Sequence, residues 1–424
     1  MEDSAYRKST LPNGLRVLTA PMPHTRSVSV SIYLGAGSRY ETPPESGLSH
    51  FVEHLCFKGT KKRPTPRDIS EVIDSVGGVL NAATDRELTV YYCKVARPHL
   101  ELALDVLVDM LRRPLFAPKE VEKERKVIIE ELAALADSPA QQVDILLDET
   151  LWPDQPLGRD VAGCEATVSA ITRQMALEYL HRQYVPNNVV VSVAGAVEHE
   201  EVLELINAAL GDWPRGIPSG WFPAVNGQGS ARTAVRYKNT EQAHMSLAVR
   251  GLSSQHPDRF VLDMLSVVLG EGMSSRLFLE LRERRGLCYD VHTYTSHFLD
   301  AGALVIYSGV DPANAADTLK ALLEQLAQVR DGIPDGELAR AKELAKGRLL
   351  LRMEDTRSVS GWLGIQELLL GRVRTADEVV EVLDAITADD VARVARDLFL
   401  TDQLSLAIVG PFRGNKRFAS LLRL

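Results

Sequence analysis

The stretch SVSVSIYLGAGSRYETPPESGLSHFVEHLCFKGT, residues 27–60, passes from one periodicity to another. Residues 27–37 alternate polar and apolar side chains, as a half-buried strand does. Pro43, Pro44 and Gly47 then interrupt the chain before an apolar-periodic run, which predicts a helix from about Gly47 carrying His50-Phe51-Val52-Glu53-His54. On a helix, positions i and i+4 share a face, with Cβ atoms about 5–6 Å apart. Two imidazoles so placed can both reach one zinc ion through bonds of about 2.0–2.1 Å. Glu53, one residue before the second histidine, lies at the edge of that face, where a carboxylate meets a metal-bound water without competing for the metal. A His-x-x-acid-His pattern arises by chance about 0.03 times in a chain of this composition. That rarity favours the metal reading over two unrelated helical histidines.

Upstream, LPNGLRVLTAP reads as a strand pair around Asn13-Gly14, a dipeptide that tolerates the positive φ of a tight turn. Downstream, TPRDISEVIDSVGG predicts a helix with Thr65 as N-cap, Pro66 in its first turn and Gly77-Gly78 as its stop. VLNAATDRELTVYYCKV predicts two strands around Asp85-Arg86, and helices follow over about 100–111 and 118–136. NNVVVSVAG, residues 187–195, is a short buried strand, followed by a helix through Leu210. The Gly- and Pro-rich run over 212–231 is the best linker, after which the order of elements restarts: strands at ARTAVRY and HMSLAVRGL, the helix DRFVLDMLSVVL, the strand ALVIYSGV, three helical blocks and the strand LSLAIVG. The expected organisation is an N-terminal metal-binding half (1–215), a linker (216–231) and a homologous C-terminal half (232–424), the product of a divergent duplication. Strands and helices mix without strict βαβ alternation, so each half is expected to be α+β, with helices layered on a largely antiparallel sheet.

A catalytic zinc takes three protein ligands and keeps one position for water. The segment PKEVEKERKVIIEELAALAD offers Glu124 and Glu131, two turns apart with Ile128 between them, so a partly buried face could present either carboxylate. The plain reading of such glutamates is a solvated helix face, and only their company with the histidine pair argues against it.

The chain has 424 residues, 45% hydrophobic and 25% charged, enough apolar material for two or more domains. A net charge of −9 argues against nucleic acid as the main partner. The opening MEDSAYRKST lacks the apolar core of a secretory signal, and no run approaches the roughly 18 apolar residues of a membrane span. Cys56, Cys93, Cys164 and Cys288 form no CxxC pair and read as free, mostly buried thiols in a reducing compartment. The expectation is a cytoplasmic protein without a membrane or nucleic-acid partner.

Beyond these residues the sequence resembles the inverzincin peptidases with an HxxEH motif, the group of mitochondrial processing peptidase, insulin-degrading enzyme and their bacterial relatives. GAGSRYE before SGLSHFVEHLCFKGT, GGVLNAATDRELTVYY after it, ERKVIIEEL, PLGRDVAGCEATV and YVPNNVVVSVAG carry the resemblance over nearly the whole chain. It implies Glu131 as third zinc ligand and Glu124 as a supporting carboxylate behind the metal. It implies that the strand holding Leu80, Asn81, Ala82 and Ala83 pairs with substrate backbone, a mode that gives affinity with little sequence preference. SSRLFLELRERRGLCYDV is similar to the stretch that supplies an arginine and a tyrosine to substrate in active single-chain relatives, here Arg282 and Tyr289; the plain reading is a solvated RERR run and a packing aromatic. GEGMSS departs from the more glycine-rich loop of the non-catalytic processing subunit. The expected function is zinc-dependent endopeptidase action on extended peptides inside a closed chamber of four homologous halves, with a second copy or a homologous subunit as partner. The alternatives are a catalytically silent or partner-dependent peptide-binding subunit of the same fold, a zinc hydrolase of small substrates, and another divalent ion in the same ligand set.

Overall fold

The computed structural model describes residues 5–225 and 227–424, so Asn226 of the linker stretch and residues 1–4 lie outside the described residues. Eleven strands form two sheets among them. The first holds β1 (Arg7–Thr10), β2 (Arg16–Pro21), β3 (Ser27–Leu34), β4 (Val79–Thr84), β5 (Thr89–Ala96) and β6 (Val189–Gly195), in the order β1-β2-β6-β3-β5-β4. The second holds β7 (Arg232–Tyr237), β8 (Ala243–Arg250), β9 (Cys288–His297), β10 (Gly302–Val310) and β11 (Leu404–Gly410), in the order β7-β11-β8-β10-β9.

Apart from β1, the two sheets have the same topology. β2 pairs parallel with β6 as β7 does with β11, and the remaining neighbours pair antiparallel in both. The repeated order of elements in the two halves is therefore repeated sheet topology. Each sheet is largely antiparallel with one parallel pair, the α+β arrangement expected.

The compact units do not follow the sequential halves 1–215 and 232–424. One unit comprises residues up to 132, 160–222 and 350–375; the other comprises 133–159, 223–349 and 376–424. The helix Pro139–Leu151 packs in the second unit, where Val143, Leu146, Leu147 and Leu151 join Ala248, Val305 and Val409 of its sheet. The helix Thr356–Leu370 packs in the first, where Leu363 lies with Leu18, Tyr33, Val90, Tyr92 and Val190. Each half in sequence thus supplies one covering helix to the other half's sheet. Gly364 permits the close approach of the second of these, since a Cβ there would lie 2.3 Å from the Tyr33 ring.

This exchange corrects the reading of residues 27–37 as half-buried. β3 is buried on both faces, because its serines meet the crossing helix: Ser31 Oγ lies 2.6 Å from Ser360 Oγ and Ser27 Oγ 3.1 Å from Thr356 Oγ1. Small hydroxyls bonded across a helix interface satisfy themselves without water. Between β10 and β11 the chain forms five helices rather than three blocks: Ala315–Asp331, Asp335–Arg352, Thr356–Leu370, Ala376–Ala385 and Ala388–Leu398. Among the described residues, no helix is long and apolar enough to cross a membrane.

Candidate metal centre

The helix Leu48–Cys56 starts at Gly47, whose φ of +92° and whose Cα, too close to Ala162 for a side chain, both require glycine. The buried Glu41 caps it from outside: its two carboxylate oxygens accept from the backbone N–H groups of Gly47 at 2.9 Å and Ser49 at 2.6 Å. A carboxylate at a helix N-terminus satisfies orphan donors and favours the helix dipole. Phe51, Val52 and Leu55 are fully buried, so one face of the helix is pinned to the core and the other presents His50 and His54. Their ring centroids are 4.5 Å apart.

Glu131 comes from the helix Pro118–Asp137, which Val121, Glu124 and Ile128 anchor by their burial. Its Oε2 stands 3.9 Å from His50 Nε2 and 3.8 Å from His54 Nε2. One ligand atom from each of the three lies within 4.8 Å of the others. The two contacts of Glu131 are too long for hydrogen bonds. Three Lewis bases that converge without bonding one another leave the spacing a single cation spans when its bonds are about 2.0–2.2 Å. The side chains fit a divalent metal, and two imidazoles with one carboxylate are a donor set for zinc.

Glu124 stands behind the pair. Its Oε2 lies 3.2 Å from His54 Nδ1 and its Oε1 2.9 Å from Lys58 Nζ. Burial would raise its carboxyl, but the hydrogen bonds to His54 and Lys58 and the lysine charge outweigh it and hold the group below the usual glutamate range. An ionised Glu124 fixes the His54 tautomer so that Nε2 offers its lone pair forward, the common outer-shell device of metal-binding histidines. His50 is held neutral by burial first and then by the neighbouring His54, its pKa falling to about 4. A neutral imidazole is the ligating form.

Glu53 is buried beside this set, and its Oε2 accepts from Thr84 Oγ1 at 2.6 Å. Burial raises its carboxyl above the ordinary glutamate value, and the bonds from Thr84 counter part of that rise. Thr84 ends β4, the edge strand of the first sheet that carries Leu80, Asn81, Ala82 and Ala83, with alternating exposed and half-buried residues. Asn81 Oδ1 accepts from the Ala82 N–H at 2.8 Å.

Arg282 and Tyr289 belong to the second unit. The Arg282 guanidinium carbon lies 4.9 Å from the centre of the Tyr289 ring and 4.8 Å from that of Phe278. Tyr289 stands within β9 and is largely exposed. The resemblance named both residues for contact with substrate, and the structure places them beside each other.

Thr84, Lys58 and Glu41 were missed as supporting residues. Lys58 was recoverable, four residues beyond His54 and just past the end of the same helix; Glu41 and Thr84 act across loops that no periodicity marks.

Two family models divide the chain. The insulinase model of peptidase family M16 matches residues 16–165, and the model of the peptidase M16 inactive domain matches residues 170–344. A Streptomyces coelicolor protein named an uncharacterized zinc protease is 39% identical over 415 residues, 96% of this chain and 90% of that one. A Bacillus subtilis protein with the same description is 37% identical over 416 residues, 96% and 98% of the two chains. The chain belongs to peptidase family M16. A crystal structure of a protease from Helicobacter pylori has the M16 fold as well, with a TM-score of 0.90 at 25% identity, covering 96% of this chain and 99% of that one. The insulinase match spans the histidine pair, Glu53, Glu124 and Glu131, while Arg282 and Tyr289 fall in the inactive-domain match. The zinc protease names of these M16 relatives agree with the donor set found here.

Proposed function

We propose that this M16 protein is a zinc-dependent endopeptidase acting on extended peptide, with Glu53 as general base and acid. The observation that supports it is the convergence of His50, His54 and Glu131 with a buried carboxylate, Glu53, on the same helix beside an edge strand. Zinc held by these three residues supplies Lewis acidity and lowers the pKa of a water towards about 7. The edge strand β4 offers main-chain groups to a substrate in the β conformation, which selects for unfolded segments. Glu53 accepts the proton of the attacking water and later gives one to the leaving amine. Glu124 and Lys58 hold His54 in its ligating tautomer. Arg282 and Tyr289 keep the substrate role implied by the resemblance: a guanidinium fork and a phenol bond a peptide carbonyl and the negative charge it develops.

Substituting Glu53→Gln leaves one zinc per chain and lowers turnover of a quenched unstructured peptide by about 10²–10⁴. Retained turnover in that variant refutes the role. The partner is a second copy of the chain or a homologous subunit enclosing a chamber, tested by native mass together with metal per chain. A chain that binds zinc and peptide yet cleaves nothing in any assembly is the silent subunit instead.

A further inference from the structure

Resting on the peptidase reading, we propose that Thr84 is a positioning residue that holds the Glu53 carboxylate in register with a peptide strand added to β4. Thr84 has one hydroxyl proton, and the 2.6 Å contact directs it to Glu53 Oε2. The Thr84 backbone N–H, like its hydroxyl, counters the burial of the Glu53 carboxyl. The buried Thr89, opposite Thr84 in the ladder, sends its hydroxyl to the Ala36 carbonyl at 3.0 Å and makes a longer contact to Thr84 Oγ1 at 3.5 Å as donor, so the Thr84 proton stays on Glu53.

The hairpin geometry sets which way that N–H faces. Asp85 N–H bonds Leu88 C=O at 2.8 Å, so those two residues form a bonded pair of the antiparallel ladder. Bonded and non-bonded pairs alternate. The next pair, Thr84 with Thr89, is therefore non-bonded, and the main-chain groups of Thr84 turn to the free edge, as do those of Ala82 and Leu80. An added strand would bond the outward groups of Leu80 and the Ala82 carbonyl, and the Ala82 N–H on displacing Asn81 Oδ1. At Thr84, the last residue of that row, the side-chain hydroxyl is engaged by Glu53. The carboxylate is thus tied to the end of the edge along which the added backbone would lie. One residue ends the substrate-binding edge and aims the base.

The test uses the zinc-loaded full-length protein as wild type, Thr84→Val and Thr84→Ser. Valine keeps shape and β-propensity but removes the hydroxyl donor; serine restores it. Zinc per chain and the thermal midpoint stay at wild-type values in both. For Thr84→Val, KM on the unstructured peptide stays within about twofold while kcat falls at least about tenfold, the size expected of a lost hydrogen bond to a charged group. Thr84→Ser recovers most of that kcat. A crystal structure of Thr84→Val has the Glu53 carboxylate displaced from its wild-type position. The proposal is overturned by unchanged kcat in Thr84→Val, by a serine variant as slow as the valine one, or by an unmoved Glu53. Should the zinc-loaded wild type cleave no peptide, the peptidase reading itself fails, and the Glu53 position in the two crystal structures still decides the role of Thr84.

Discussion

Apart from β1 the two sheets share one topology, yet among the described residues the group that could hold a metal ion lies only in the first unit. In both, the strand next to the parallel pair (β3 or β8) leads to a helix that packs on the edge strand (β4 or β9). Aligning the buried Phe51-Val52 with the buried Phe260-Val261 sets His50, Glu53 and His54 against Arg259, Leu262 and Asp263. The helix-to-strand bond survives in altered form. Glu53 accepts from Thr84 at the end of β4; Asp263 accepts from Thr295 Oγ1 at 2.6 Å and meets His297 Nε2 at 2.8 Å at the end of β9. Both units hold a helix carboxylate against an edge strand, paired with His297 in the second and beside the candidate metal group in the first, although Asp263 stands at the position of His54 and not of Glu53. The difference lies in three side chains and one glutamate from a further helix.

The largest effect tests the exchange of helices that the two units have in common. Residues 1–215 and 232–424, expressed separately, each leave a sheet face uncovered. The helix Pro139–Leu151 alone contributes four buried apolar side chains, about 6–12 kcal/mol as an upper bound at about 1.5–3 kcal/mol each. Neither fragment gives a cooperative melt alone, and co-expression restores one. A fragment that melts cooperatively by itself contradicts the exchange. Next, His54→Asp gives the first helix the residue of its counterpart. With one imidazole gone, zinc content falls below stoichiometry and peptide turnover drops by about 10³ or more, the scale of losing the metal's contribution. Smaller again is Glu124→Gln, which keeps shape but loses the charge behind His54. Zinc affinity falls about 10–100-fold, read by competition with a chelator, with little change in fold stability.

The sequence made the site legible where chemistry and helical period coincide. Spacing alone put His50 and His54 on one face, whereas Arg282 and Tyr289 were singled out by the family resemblance. Choosing Glu131 over Glu124 needed the family resemblance, because both lie on one stripe; the structure separates them by burial, with Glu124 enclosed and Glu131 exposed at the front. The fold was legible as a repeat of strands and helices. The helix exchange was not, since an amphipathic helix records that it covers a sheet and not which one. β3 shows the cost: its serines read as a solvent face, and a helix from more than three hundred residues away covers them.

The smallest effect is the sharpest contrast, because the two units treat a histidine in opposite ways. His50 is buried against His54 and its pKa is lowered from 6.5 to about 4. The unfolded chain therefore takes up that proton first, and in metal-free protein stability falls as pH drops from about 6.5 towards 4. For His297, burial favours the neutral ring, but the hydrogen bond and charge of Asp263 and the Leu252 carbonyl outweigh it and raise the pKa. Both ring nitrogens face acceptors, Leu252 O at 2.7 Å and Asp263 Oδ1 at 2.8 Å, so only the imidazolium satisfies both. Its contribution is complete below the ordinary value of 6.5 and is lost as pH rises through the raised one. Chemical denaturation of His50→Gln and His297→Gln in chelator, across this range, separates them. Relative to wild type, His50→Gln gains stability as pH falls. His297→Gln loses about 1.5 kcal/mol at low pH, the low end for a hydrogen bond to a charged group, and the loss shrinks as pH rises. Parallel slopes in the two variants would mean that the duplicated helix-to-strand contact kept one electrostatic character in both units, and the division between ion pair and metal ligand would fail.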